Sequence, residues 1–190
     1  MEPSPTVEPS PSVEPSPSPS PANSVTHSTK KEPVKKADGS EFGEIEIPEF
    51  ASEAYETDAG VKKVVDAMNE AVLELAETVT QRCLDSETIT DCTATSKVLE
   101  DSGYVSILLE SSYTYSEGES EKRYDSVILD SQTGKPVEIL ELLRKPEEEP
   151  LTEDDLKTQL GGDWQAVVIT EQNAEFYLED GTTKRIALPE

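Results

Sequence analysis

The chain has 190 residues, with 41 acidic against 16 basic side chains and a net charge of −25, a length that suits one domain with a tail or two very small domains. Charge of this sign is repelled by nucleic-acid phosphates and by anionic lipid, which excludes nucleic-acid binding by charge neutralisation and disfavours an anionic membrane surface. No apolar run approaches the roughly 18 residues that a membrane span needs, so direct insertion of this chain is excluded as well.

Residues 1–22 read MEPSPTVEPSPSVEPSPSPSPA, a degenerate V/T-E-P-S-P repeat that, with the residues up to 41, holds most of the 14 prolines. Such a stretch cannot bury enough apolar surface to offset its conformational entropy and predicts an extended, disordered segment. Residues 23–41 continue as a polar linker with basic residues at Lys30, Lys31, Lys35 and Lys36. No apolar signal-peptide core follows Met1. The leader therefore reads as a stalk that stands a domain off a membrane or wall, its export signal and anchor removed, and places the protein at the cell surface or outside the cell. The predicted organisation is a disordered Pro/Ser-rich stalk over 1–41 and one domain over 42–190, in which 35 acidic residues meet 12 basic ones. A basic partner is electrostatically favoured, although such charge also serves solubility alone.

Residues 42–50 (FGEIEIPEF) alternate apolar and acidic side chains up to a proline and predict a strand at a sheet edge. Asp58 or Thr57 is placed to cap a helix over 59–84, whose Val61, Val64, Val65, Met68, Val72, Leu75, Val79 and Cys83 fall on one stripe. Strands are predicted over 91–101, 104–115 and 123–129. In the second, Val105, Ile107, Leu109, Ser111, Tyr113 and Tyr115 share one face. Residues 130–134 form a turn, and 136–143 (PVEILELL) follow it. Thr152 and Asp155 suggest a capping box opening a short helix to about Leu160, stopped by Gly161 and Gly162. Residues 164–170, 174–178 and 184–188 complete the strands. The fold class is α+β: an antiparallel sheet with one long amphipathic helix packed on one face and a second short helix.

Chemistry-bearing motifs are sparse. Cys83 and Cys92 have eight residues between them. In an exported protein a disulfide closing one loop is the first reading, ahead of two unrelated thiols. The only histidine, His27, lies in the leader, so neither a zinc site nor an activated serine or cysteine is indicated. No metal site, cofactor or catalytic residue is assigned. Glu117, Glu119 and Glu121 alternate along a loop and read first as a solvated face. Tyr104, Tyr113, Tyr115 and Tyr124 concentrate aromatics on one hairpin. The candidate ligand-binding residues are therefore Tyr113, Tyr115, Glu117, Glu119 and Tyr124, since tyrosine is favoured at interfaces, with the alternative that Tyr113 and Tyr115 extend the core face.

Several stretches carry a resemblance. They are Val65-Asp-Ala-Met-Asn69-Glu-Ala-Val72, Ser112-Tyr113-Thr-Tyr115, the run from Asp125 to Leu143, Glu175-Phe176-Tyr177-Leu178-Glu-Asp-Gly181, and Ile186-Ala-Leu-Pro189. Together they resemble the extracytoplasmic domain of the RsiV-type anti-sigma factors, also found as a non-catalytic module beside the deacetylase domain of PdaC-like cell-wall enzymes and in Gram-positive lipoproteins. The resemblance implies a non-enzymatic binding or sensing domain of the cell envelope, recognising a basic protein such as lysozyme or a cell-wall fragment. The alternative is an accessory domain or small enzyme of cell-wall glycan metabolism using acidic residues. Relatives carry a Gly-Gly-Ala-His run after the tyrosine strand; here Ser116-Glu-Gly-Glu-Ser-Glu121 stands in its place.

Overall fold

The computed structural model describes residues 25–145 and 149–189; the leader repeat lies outside the described residues. Residues 26–35, assigned by composition to the linker, are a strand, β1 (Thr26–Lys35), paired antiparallel with β2 (Glu41–Ala51). Its lysines had obscured it. Lys31 bridges Glu44 and Glu46 on β2 at 2.7 and 2.9 Å, and only Val34 enters the core. A strand at a sheet edge exposes one side to water and tolerates the Lys and Pro33 that would disqualify an interior one. The strand expected at the edge, β2, is interior.

Helix α1 (Ala59–Asp85) begins where Asp58 accepts from the amides of Gly60 and Val61, and buries Val61, Val65, Met68, Ala71, Val72, Ala76, Val79 and Cys83. It crosses to β3 (Ile89–Asp101), which lies parallel to β2 over Gly43–Ile45. Gly43 permits that contact: a Cβ there would stand 1.8 Å from the carbonyl oxygen of Cys92. Beyond Ile45 the two strands part, and the helix takes over the next strand's role. The Asn69 side chain accepts from the Phe50 amide at 2.8 Å and donates to its carbonyl at 3.0 Å. β4 (Tyr104–Tyr115) and β5 (Ser120–Asp130) complete a five-stranded sheet in the order β1-β2-β3-β4-β5.

The single antiparallel sheet expected from the strand spacing is instead two sheets, the first of them mixed. After α2 (Ile139–Leu142) and α3 (Glu153–Leu160), β6 (Trp164–Thr170), β7 (Asn173–Leu178) and β8 (Thr183–Ala187) form a separate three-stranded antiparallel sheet. The capping box of α3 is present, and Gly161 ends the helix at φ 74°. α1 covers one face of the large sheet, and the small sheet docks on part of the other. Side chains on both faces of β4 are consequently buried, Ile107 and Leu109 against α1 and Leu108 against Ala166 and Val168 of β6. A further core joins Ile128, Ile139, Leu156, Leu160 and Phe176. Cys83 and Cys92 are joined as a disulfide, Cα to Cα 6.1 Å, tying the last turn of α1 to β3.

Candidate functional site

Two polar features flank the C-terminal half of α1. The first is a groove of about 900 Å³ between α1 and the β1–β2 ribbon. Val34, Ile45, Ile47 and Ala76 lie along its floor, and Glu32, Glu74, Glu77 and Asp85 along its rim. The helix period places Glu74, Glu77 and Gln81 on the turns beside the buried stripe, while the strand period turns Glu32 and Val34 of β1 to the same side.

The second is a polar corner between α1 and the β4–β5 hairpin. Arg82 extends from the helix to Asp125, making a two-pronged pair at 2.7 and 2.8 Å, and also donates to the Tyr113 hydroxyl at 3.2 Å. The Asp125 bond holds the guanidinium even more basic than usual, against the opposing effect of burial. Paired charge-assisted bonds of this geometry are among the stronger ones available to side chains. Next to it, the Tyr115 hydroxyl donates to Glu121 at 2.7 Å and Arg123 donates to the same carboxylate at 2.6 Å. The Tyr115 bond, then the Arg123 one, holds the Glu121 carboxyl below the ordinary carboxylate range, and the same contact raises the Tyr115 phenol. A pocket of about 190 Å³ opens here between Tyr113, Tyr115, Arg82, Arg123, Ser86 and Ile89.

Of the residues proposed from sequence, Tyr113 and Tyr115 thus meet in one pocket, although Tyr113 is also a core residue at 1% exposure. Tyr124 points to the opposite face of the sheet, its ring 4.9 Å from that of Tyr177. Burial pushes the Tyr177 phenol up to about 12. Glu117 and Glu119 are exposed on the β4–β5 turn. Sequence reasoning missed Arg82, Asp125 and Arg123. The available signal was a charge on each side of an otherwise regular pattern: Arg82 abuts the buried Cys83, and Asp125 occupies the strand position whose neighbours Val127 and Leu129 face the helix.

Among the described residues no group of three or more His, Cys, Asp or Glu stands where it could hold a metal ion. No described helix is long and apolar enough to cross a membrane.

No family model matches the chain, and no curated protein matches it. Solved structures similar to it include a DUF3298 family protein from Pseudomonas aeruginosa PAO1, at TM-score 0.45 and 13% identity over 87% of this chain and 90% of that one. A member of the same family from Bacteroides fragilis NCTC 9343 matches at TM-score 0.45 and 9% identity over 88% and 91%. Identities this low carry no residue's role and no activity to this chain.

Proposed function

We propose that the domain is a non-enzymatic binding or sensing module of a bacterial cell envelope, displayed on its Pro/Ser-rich stalk, and that the groove beside α1 receives a basic protein or a cationic cell-wall fragment. The observation that carries this reading is the groove itself, with carboxylates of Glu32, Glu74, Glu77 and Asp85 above the apolar side chains of Val34, Ile45 and Ile47. Such a rim attracts lysine and arginine side chains, and the floor accepts their methylene stems. The net charge of −25 adds long-range attraction for a positive partner. The resemblance to the RsiV-type domain points the same way, since lysozyme is basic.

Calorimetric titration of the full chain with lysozyme and with soluble peptidoglycan fragments tests the reading. Saturable binding to at least one is expected, weakening several-fold as salt rises toward 0.5 M because exposed charge pairs are screened. Absence of saturable binding to both at low salt would sink it. Turnover of the glycan, abolished by changing one carboxylate, would move the assignment to an enzyme.

A further inference from the structure

We infer that the small pocket between α1 and the β4–β5 hairpin is a carboxylate-binding subsite, with Arg123 and Tyr113 supplying the donors. The inference goes beyond the groove reading and stands or falls apart from it.

Each carboxylate oxygen in the corner already accepts one bond, while donors are left over. Both oxygens of Asp125 take a nitrogen of Arg82. Both oxygens of Glu121 are also engaged, one by Arg123 Nε and the other by the Tyr115 hydroxyl. A cation entering the pocket therefore meets no free carboxylate. An anion meets unspent hydrogens. Arg123 lines the pocket, spends only Nε among the described residues and is 46% exposed along its side chain, which leaves the hydrogens of its two terminal nitrogens for a ligand. A guanidinium carries five N–H donors in a planar fork that matches a carboxylate. At the base, the Tyr113 hydroxyl accepts from Arg82 but finds no acceptor for its own proton among the described residues, though the residue is 1% exposed. Buried hydroxyls in folded proteins rarely leave that proton unused.

A third unmet group lies on the same strand as Tyr113, outside the pocket's lining. Ser111, the cross-strand partner of Arg123 and two residues from Tyr113 on the same face, is fully buried with no hydrogen-bond partner for its Oγ. No other buried side-chain polar atom among the described residues is left in that state. Two neighbouring positions on one face of β4 thus carry hydroxyls with incomplete bonding.

The shape narrows the ligand. At about 190 Å³ the pocket admits a carboxylate with a short carbon chain, one oxygen toward Tyr113 and the other toward Arg123, with a methyl-sized group against Ile89. That chemistry is shared by free small carboxylic acids and by the C-terminus of a peptide ending in a small residue. The chain's overall negative charge opposes an anion at long range, but at physiological salt this falls away beyond about 8 Å.

Chemical-shift titration of the full chain at physiological salt, following the Arg123 side-chain Nε–H and the Ile89 and Tyr115 amides, tests the subsite with three probes. These are acetate, N-acetyl-Ala-Ala with a free carboxylate, and its C-terminal amide. Saturable shifts confined to these groups are expected for the first or second probe and not for the amide. Tighter binding of the peptide assigns a chain terminus; equal binding assigns a free small acid. Arg123→Gln, at an exposed position, should weaken binding about tenfold or more, and Tyr113→Phe, which keeps the buried ring, should weaken it several-fold. Absence of shifts with both carboxylates, equal binding of the amide, or full affinity in Arg123→Gln with the rest of the spectrum unchanged would each overturn the assignment.

Discussion

The hydroxyl of Ser126 donates to the carbonyl of Val167 and accepts from its amide, both at 2.8 Å, so one side chain on the face of the large sheet satisfies both backbone groups of a residue in the small one. Ser106 accepts from the Ile169 amide at 2.9 Å in the same manner, and the Gln165 side-chain oxygen accepts from the Tyr124 amide at 2.9 Å. β6 is an outer strand of its sheet and would otherwise bury an unpaired backbone edge against apolar side chains. Two serines replace the missing neighbour strand, and this fixes where the small sheet docks.

Ser126→Ala should therefore destabilise the fold by about 1–3 kcal/mol, the range for leaving a buried donor and acceptor unmet. Ser106→Ala should cost less, because one amide loses its partner there instead of an amide and a carbonyl. Urea denaturation measures both, and a neutral Ser126→Ala would show that the docking rests on apolar contact alone.

Gly43→Ala should be among the most damaging single-methyl additions in the chain. Its Cβ would stand 1.8 Å from the Cys92 carbonyl oxygen, and both backbones are held there by further pairing. The parallel contact of β2 with β3 must open, at a cost of about 3 kcal/mol or more. Gly162→Ala, with nothing within 4 Å of the added methyl, is the matched control and should lie within about 0.5 kcal/mol of the parent. Thermal melts of the two variants side by side give the comparison.

The bond between Cys83 and Cys92 closes a short loop at the end of α1. Reduction should cost about 2–3 kcal/mol through the freedom regained by the unfolded chain. Intact mass after alkylation checks the bond: two labels are expected only when a reductant precedes the label, and two labels without it would contradict the pairing.

Acid stability should carry the signature of Glu121. Its folded-state pKa lies below the ordinary 4.5, so its contribution is fully present above that value and is lost as pH falls through the lower folded value. The Tyr115 phenol is raised above 10.0, so its part is present below that pH and fades as pH rises through the folded value. Glu121→Gln should flatten the fall in urea midpoint below pH 4.5 while changing little in the shape of the curve near neutrality.

What was legible in the sequence is what a single period encodes. The steps of three and four from Val61 to Cys83 predict α1, and the structure extends it by one residue, to Asp85 from an expected end at 84. The alternation in residues 104–115 matches β4 in bounds and in facing. β1 was hidden because Thr26 to Pro33 offer no apolar period: an edge strand anchored by Val34 needs none. Nothing local divides the strands into two sheets: those of the second have ordinary patterns, and the serines on which it docks look like any polar residue facing out. The corner pocket was half visible. Tyr113 and Tyr115 stood out as aromatics, whereas Arg82 and Asp125 are brought together from 43 residues apart by the crossover and hairpin, which no local pattern records.

The groove is tested most directly by comparing two variants with the same change in charge. One replaces Glu32, Glu74 and Glu77 on the groove rim with glutamine; the other replaces Glu117, Glu119 and Glu179, exposed elsewhere. Lysozyme affinity, measured by calorimetry at fixed salt, should fall about tenfold or more in the first and stay within about twofold of the parent in the second. Equal losses in both would mean that overall charge, and not the groove beside α1, attracts the partner.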